Sequence, residues 1–398
     1  MATITKFDAQ PAQLAVFWDD GSESAYPWIW LRDHAHDEAT LHPVTQQRNL
    51  HTASVDPNIA AASVEIEDGE VEITWNSEPE PSRLPVDFLA QFRTPRPSSV
   101  RVPIAPVLWD AETILPTPST PYDDIMGTDE GLLDWLTKVA QYGFALATGT
   151  PVTAEATEAL VRRVAYVRES IFGGFWEFTA DLSKADTAYT NIELLAHTDG
   201  TYSHDAPGLQ LLHCLYFEGT GGDSTMADGF RVAAELKASA PHHYETLSTV
   251  MIPGQYIGDG SHLMSARPVL RHDHNGDLVQ VSFNNADRAP FLLPHDEMIA
   301  FYDAIRAFDL LANDRRLQWR HVLEPGEAML FDNWHALHGR ATPGPASSAG
   351  LTSTTRTSRA ASGSGRDLLG HRSVTVRTVD DNESVETAHT GQMIATAP

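Results

Sequence analysis

The sequence predicts a chain of the α+β class that is mainly β-sheet, with a smaller number of helices. Short strand patterns recur along it, in which apolar and polar residues alternate or an apolar run lies between turn residues. Examples are the alternation at residues 279–283 and the apolar run at residues 208–215. Many strands with a few covering helices are typical of a double-stranded β-helix, the jelly-roll barrel. We therefore expect such a barrel, preceded by a small β-rich domain.

Residues 1–95 form the predicted N-terminal β-rich domain. Residues 14–18 follow a strand pattern, and residues 64–75 form a hairpin pattern around Asp68-Gly69. A short helix is expected at residues 84–92. Four possible metal-binding residues, His34, His36, Asp37 and His42, lie close together in this region. Exposed or hydrogen-bonded side chains are the simpler interpretation, so no zinc is expected here.

The proline-rich residues 96–121 are interpreted as a linker, and residues 122–340 as the main barrel domain. Apolar spacing predicts helices at residues 129–141, 153–167 and 295–313. Buried strands are expected at residues 144–147 and 328–331, the second after the turn at residues 324–327.

The formal net charge of −27 excludes some partners. Nucleic-acid-binding proteins present basic patches, so no nucleic acid is expected. No window of about 18 uncharged apolar residues occurs, and the first residues do not resemble a secretory leader, so we expect no membrane partner and a cytoplasmic location. The single cysteine, Cys214, lies in an apolar run, which excludes a disulfide framework and a cysteine zinc site.

Two histidines and one aspartate form the candidate metal site. His197 and Asp199 are two residues apart, and side chains at that spacing on an extended segment project to the same side. A second histidine from a distant strand would complete the two-histidine, one-carboxylate set that holds non-haem Fe(II) with positions open for other ligands. His338 is our candidate. By itself His-X-Asp is a weak pattern, and surface or capping residues remain the alternative.

Around these residues the chain resembles the 2-oxoglutarate-dependent dioxygenases, and within them the gamma-butyrobetaine hydroxylase branch. The resemblance extends from about Tyr26 to Arg340. Its most specific motifs are residues 30–33, 197–199, 208–214, 221–230, 283–286 and 331–340.

This resemblance implies hydroxylation of an aliphatic C–H bond in a small quaternary-ammonium substrate, as in carnitine biosynthesis. The implied cofactor is Fe(II) and the cosubstrates are 2-oxoglutarate and dioxygen, with ascorbate as a candidate reductant. His197, Asp199 and His338 would be the catalytic metal ligands. Ser224 lies where the family places a hydroxyl that helps bind 2-oxoglutarate, and Arg340 is a candidate for its far carboxylate. Relatives are commonly dimers, so a homodimer is one candidate assembly.

The resemblance also implies a substrate site. Phe172, Trp176 and Tyr189 fall on positions of an aromatic cage, and aromatic faces attract a trimethylammonium group. Asp186 replaces the asparagine that butyrobetaine hydroxylases use to hold the substrate carboxylate, and a carboxylate there repels it. The remaining candidate substrate residues are Tyr202, Asn284 and Arg288.

Several alternatives stay open at this point. Asp186 suits a substrate with an amino group at that end, such as trimethyllysine. Arg288 could pair with a carboxylate or with the phosphonate of a trimethylammonium phosphonate. Two alternatives are not enzymes: the barrel could be a non-catalytic binding protein or an inactive family member. A hydrolase or lyase with zinc or manganese lacks visible acid–base residues.

Residues 341–398 form a low-complexity tail with no Phe, Trp or Tyr. Relatives have a 2-oxoglutarate arginine and a Gly-X-Tyr-X-Asp strand after the distal histidine. Read one base earlier, codons for Gly350-Leu351-Thr352 can encode Gly-Ala-Tyr, so we interpret the tail as out of frame; a natural divergent tail is the alternative. The interpretation predicts a disordered or poorly packed tail, a barrel without one late strand, and weak or no activity. Arg340, Arg356 and Arg359 would then be poor substitutes for the missing arginine.

Overall fold

The computed structural model describes residues 3–93, 104–170, 173–178, 193–217, 221–258, 260–341 and 353–359. The chain divides into two units, Met1–Pro103 and Ile104–Pro398. The described part has a mixed α+β fold, as the sequence predicts. None of its helices has the length and apolar character needed to cross a membrane.

Unit 1 contains two three-stranded antiparallel sheets, with strand orders β1-β2-β3 and β4-β5-β6. Its elements are β1 (Ile4–Ala9), β2 (Gln13–Trp18), β3 (Glu23–Pro27), α1 (Trp28–Asp33), β4 (Ala61–Glu67), β5 (Glu70–Trp75), β6 (Ser82–Pro85) and α2 (Val86–Gln91). The predicted hairpin is confirmed: Asp68 and Gly69 both have positive φ, the turn conformation that Asp-Gly favours. The core of unit 1 includes Leu14, Val16, Trp18, Trp28, Val71, Ile73, Trp75 and Leu84.

His34, His36, Asp37 and His42, the possible metal-binding residues of this unit, each have a local contact. His34 Nδ1 donates to the Trp30 carbonyl at 2.9 Å, and the ring of His36 lies 4.6 Å from that of Phe88. Asp37 accepts a hydrogen bond from Thr40 N, and His42 Nδ1 accepts from the backbone of the turn that follows it. These four residues therefore act as turn and packing residues.

Unit 2 contains two larger sheets. Its elements are β7 (Ser119–Pro121), α3 (Tyr122–Gly127), α4 (Asp129–Tyr142), β8 (Phe144–Thr148), α5 (Ala154–Val164), β9 (Phe175–Phe178), β10 (Leu194–His197), β11 (Leu209–Tyr216), β12 (Ser224–Asp228), α6 (Gly229–Ser239), α7 (Pro241–Thr249), β13 (Ile252–Gly258), β14 (Ser261–Arg267), β15 (Leu270–His272), β16 (Leu278–Val281), α8 (His295–Ala312), β17 (Gln318–His321), β18 (Ala328–Asp332), β19 (Ala336–Arg340) and β20 (Ser353–Arg359). The sheet orders are β10-β19-β12-β17 and β7-β8-β18-β11-β20-β9, and two hairpins pair β13 with β14 and β15 with β16.

The apolar clusters of unit 2 define its layers. One cluster joins the two large sheets, with Phe144, Cys214 and Phe331 from the six-stranded sheet and Met226 and Trp319 from the four-stranded sheet. A second cluster packs α4 and α5 on the other face of the six-stranded sheet. A third packs α6, α7 and α8 against the four-stranded sheet. The two sheets thus face each other, with helices outside both.

The fold differs from the sequence expectations at the linker and in the tail. The linker predicted at residues 96–121 ends earlier, because Trp109 and Ile114 are buried in the core of unit 2 and Ser119–Pro121 forms β7. The expectation of a missing late strand is also wrong, because β20 pairs with β11 on one side and β9 on the other. A central strand such as β11 needs partners for its backbone groups on both sides. The other tail residues, 342–352 and 360–398, lie outside the described residues.

Candidate metal centre and its surroundings

His197 is the last residue of β10, and its ring orientation is fixed by its own strand. Its Nδ1 donates a hydrogen bond to the carbonyl of Leu195 at 2.8 Å. In the neutral ring that bond places the single N–H proton on Nδ1, and it leaves the Nε2 lone pair directed away from the strand. A ring held in this way through one nitrogen is the usual state of a histidine that binds a metal through the other.

Asp199 and His338 converge on the same point as His197. His338 lies opposite His197 in the register of β10 and β19, and their ring centroids are 4.3 Å apart. Oxygens of Asp199 lie 3.5 Å from His197 Nε2 and 3.6 Å from His338 Nε2. One ligand atom of each residue lies within 4.8 Å of the others, and this is the one such group of metal-binding side chains among the described residues.

The donor set and its spacing fit an iron ion. Three ligands on one face of an octahedron, each about 2.1 Å from the metal, are about 3 Å apart, only slightly closer than the separations of Asp199 from the two histidines. Burial, with a smaller effect from His197, holds the pKa of His338 well below its ordinary value. His338 is therefore neutral, which is the protonation state that binds a metal.

The segment that carries Asp199 is held on one side by residues 283–287. Thr198 N donates to the Phe283 carbonyl at 2.7 Å, and Phe283 N donates to the Thr198 hydroxyl at 2.9 Å. The Thr201 hydroxyl donates to Asp287 at 3.1 Å, and burial raises the pKa of this carboxyl. Asn284 lies between these two attachments, so the substrate candidate and the metal candidates belong to one connected structure.

A buried polar pair that the sequence did not predict supports the start of β19. The Asp228 carboxylate, which is fully buried, accepts hydrogen bonds from the backbone of Phe230, Arg231 and Trp109 and from His335 Nε2 at 2.9 Å. The His335 ring also stacks on Phe230, with centroids 4.2 Å apart. The sequence signal was limited to Asp228 as an N-cap before a helix, and nothing in the local pattern identified His335 as its partner.

Ser224 and Arg340 are direct neighbours across β12 and β19. Residues opposite each other in an antiparallel pair project to the same face, and Arg340 is two residues beyond His338. Both candidate 2-oxoglutarate residues therefore lie on the face of the sheet that carries His338. His321 lies opposite Ser224 on the next strand, β17, and a hydrogen bond with Glu327 raises its pKa.

The structure describes only some of the predicted substrate residues. Phe172, Asp186 and Tyr189 lie outside the described residues, and Trp176 lies in β9. The ring of Tyr202 lies 5.2 Å from that of Tyr256. Asn284 Oδ1 accepts a hydrogen bond from Ala286 N, and the Arg288 guanidinium lies 5.7 Å from the Tyr302 ring centre.

Comparison with known proteins identifies the family. Residues 103–351 match the family described as taurine catabolism dioxygenase TauD, TfdA family. The chain belongs to the TauD/TfdA family. Residues 5–89 also match a family described as gamma-butyrobetaine hydroxylase-like, N-terminal. The protein is accordingly a dioxygenase, and as a member of the TauD/TfdA family it uses Fe(II) and 2-oxoglutarate.

Three curated relatives cover most of this TauD/TfdA chain. Trimethyllysine dioxygenase of Meyerozyma guilliermondii is 34% identical over 357 residues, 85% of this chain and 89% of that protein. The human protein named trimethyllysine dioxygenase, mitochondrial, is 34% identical over 324 residues, 79% of this chain and 76% of that protein. Gamma-butyrobetaine dioxygenase of Pongo abelii is 31% identical over 350 residues, 85% of this chain and 89% of that protein.

Proposed function

We propose that this protein is an Fe(II)- and 2-oxoglutarate-dependent hydroxylase of a small trimethylammonium compound, and that trimethyllysine is its preferred substrate. The observation that carries the proposal is the convergence of His197, Asp199 and His338 at one point. The relatives support the substrate class, because the M. guilliermondii and human proteins are named for trimethyllysine and the P. abelii protein for gamma-butyrobetaine.

In this proposal His197, Asp199 and His338 hold the iron, and the two facing sheets are the two sides of a jelly-roll barrel. Bound Fe(II), with 2-oxoglutarate and dioxygen, supplies the oxidising power that places a hydroxyl group on an unactivated carbon. Arg340 and Ser224 bind the far carboxylate of 2-oxoglutarate, because a guanidinium and a hydroxyl on the His338 face form charge-assisted hydrogen bonds with it.

Further residues of this chain hold the substrate and exclude water. The aromatic candidates Phe172, Trp176 and Tyr189 bind the trimethylammonium group, which has no hydrogen-bond donor and is attracted to aromatic faces. Asn284 binds the opposite end of the substrate, since its segment is tied to the metal-binding segment through Thr198 and Thr201. Asp186 favours an α-ammonium group over a carboxylate at that end, which supports trimethyllysine over gamma-butyrobetaine.

The experiment measures succinate and hydroxylated product from trimethyllysine, gamma-butyrobetaine and a trimethylammonium phosphonate under equal conditions. We expect the highest rate of hydroxylated product with trimethyllysine. The matched variant is Asp186→Asn, which removes the charge at constant size and should shift the preference toward gamma-butyrobetaine. Efficient turnover of gamma-butyrobetaine by the unaltered chain, with no change in Asp186→Asn, would contradict the proposed specificity.

A further inference from the structure

Asn333 occupies the turn between β18 and β19, five residues before His338. Its side chain is buried, with 1% of its surface exposed. Buried amides need hydrogen-bond partners for both their oxygen and their nitrogen. The partners of this amide lie more than a hundred residues away in sequence, in the segment that carries Asp199.

A single side chain holds both backbone polar groups of Asp199. Asn333 Oδ1 accepts a hydrogen bond from Asp199 N at 2.8 Å, and Asn333 Nδ2 donates to the Asp199 carbonyl at 3.0 Å. The same nitrogen also donates to the Pro207 carbonyl at 2.9 Å. A fourth bond comes from the backbone, where Asn333 N donates to the Gly208 carbonyl at 2.8 Å.

These bonds matter because the backbone turns sharply directly after Asp199. Gly200 has a φ of +70°, and a Cβ there would lie 2.8 Å from the Pro207 ring. The strand hydrogen bonds of β10 end at His197, so they do not fix the two peptide groups that flank Asp199. Asn333 holds both of these peptide groups through its side chain. Only the side-chain torsions of Asp199 then remain free to determine where its carboxylate lies.

We propose that Asn333 is a positioning residue for the metal centre. It holds the Asp199 backbone so that the carboxylate faces His197 Nε2 and His338 Nε2, and it does so from the turn that leads into the His338 strand. One amide therefore couples the positions of two of the three ligand residues. This inference rests on the proposed role of the triad as metal ligands, and residues that orient metal ligands typically change metal affinity about 10- to 100-fold when they are replaced.

The test uses Asn333→Leu, which removes the amide at nearly constant volume and introduces no charge near the metal. The matched control is Gln318→Met on β17, where a buried amide donates to the Ala312 carbonyl at 3.0 Å, away from the triad. Both variants lose a buried amide, so both should lower the melting temperature. Asn333→Ser is the second variant if Asn333→Leu does not fold, because it keeps a polar group in a smaller side chain.

The readouts are Co(II) affinity, measured by anaerobic calorimetry, and the ratio of succinate to hydroxylated product. We expect the Asn333 variant to bind Co(II) about 10- to 100-fold more weakly and to release more succinate per product, with the Gln318→Met values equal to those of the unaltered chain. Unchanged Co(II) affinity in the Asn333 variants would overturn the inference. Asp199→Ala distinguishes a failure of this inference from a failure of the proposed metal site. If Asp199→Ala also leaves Co(II) affinity unchanged, the proposed metal site itself is wrong.

Discussion

His197 and His338 are directly opposite each other on the neighbouring strands β10 and β19, with ring centroids 4.3 Å apart. The two residues are 141 positions apart in the chain, so strand pairing alone brings them together. The geometry of the candidate metal centre therefore depends on how closely β10 approaches β19.

That approach depends on Gly339, which follows His338. A Cβ at this position would contact the carbonyl oxygen of Leu194 and lie 2.7 Å from the Thr225 hydroxyl. We expect Gly339→Ala to push β10 away from β19 and to weaken Co(II) binding at least about tenfold. Gly127→Ala is the control, because a Cβ there meets nothing within 4 Å. Equal Co(II) affinities in the two variants would show that the strand spacing does not matter.

Arg340 is expected to control the affinity for 2-oxoglutarate. Arg340→Met keeps most of the side-chain volume and removes the charge, so the KM for 2-oxoglutarate should rise by roughly 10- to 100-fold, the effect of one charge-assisted hydrogen bond. The control is Arg320→Met, because Arg320 lies opposite Thr225 and projects to the other face of the sheet. Initial-rate succinate measurements check both variants. An unchanged KM in Arg340→Met would exclude Arg340 from the cosubstrate site.

Asp228 should contribute more to stability than an ordinary helix cap. Asp228→Ala leaves His335 and the backbone of Trp109 without their acceptor in a buried region, so we expect a loss of about 3 to 5 kcal/mol. Thr153→Ala removes the exposed cap of α5 and should cost about 1 kcal/mol. Urea denaturation of the two variants measures the difference, and similar losses would mean that the His335 contact adds nothing.

His213 should make stability depend on pH. Burial lowers its pKa from 6.5 to about 4, and its Nδ1 shares a hydrogen bond with the Thr157 hydroxyl at 2.7 Å. As the pH falls, His213 takes up a proton in the unfolded chain before it does so in the folded chain. The contribution of His213 to the free energy of unfolding is therefore fully present above pH 6.5 and is lost toward pH 4. The loss from this group is about 3 kcal/mol. His213→Leu should flatten the pH dependence of the unfolding free energy in that range, and His274→Gln, an exposed control, should not.

The sequence predicted the elements around the site better than the contacts between them. The strand at residues 328–331 and the helices at residues 129–141 and 295–313 are present nearly as expected, because their apolar spacing is regular. The helix expected at residues 153–167 ends earlier, at Val164, because the backbone becomes extended at Ala165 although the apolar spacing continues to Val167. Periodicity identifies a buried face more reliably than it identifies an element's end.

The contacts that hold the site could not be predicted in the same way. Period two placed His197 and Asp199 on one side, but the opposition of His197 and His338 depends on a long-range register that no local pattern records. The bonds from Asn333 to Asp199 and from His335 to Asp228 join side chains to distant groups, and such pairs carry no spacing signal. The strand β20 was missed because Ser and Thr dominate its segment, which was interpreted as part of a low-complexity tail, although Thr by itself is common in strands.

The most direct test of the central claim is the number of metal ions that the chain binds. In anaerobic calorimetry the unaltered protein should bind one equivalent of Co(II), and His197→Ala and His338→Ala should each weaken that binding by more than about a hundredfold, since each removes a ligand. His204→Ala is the matched control, because the exposed His204 contacts only the Ser265 hydroxyl among the described hydrogen bonds, and it should bind as the unaltered protein does. Co(II) binding that survives His338→Ala at full affinity would contradict the assignment of His197, Asp199 and His338 as the iron centre of this dioxygenase.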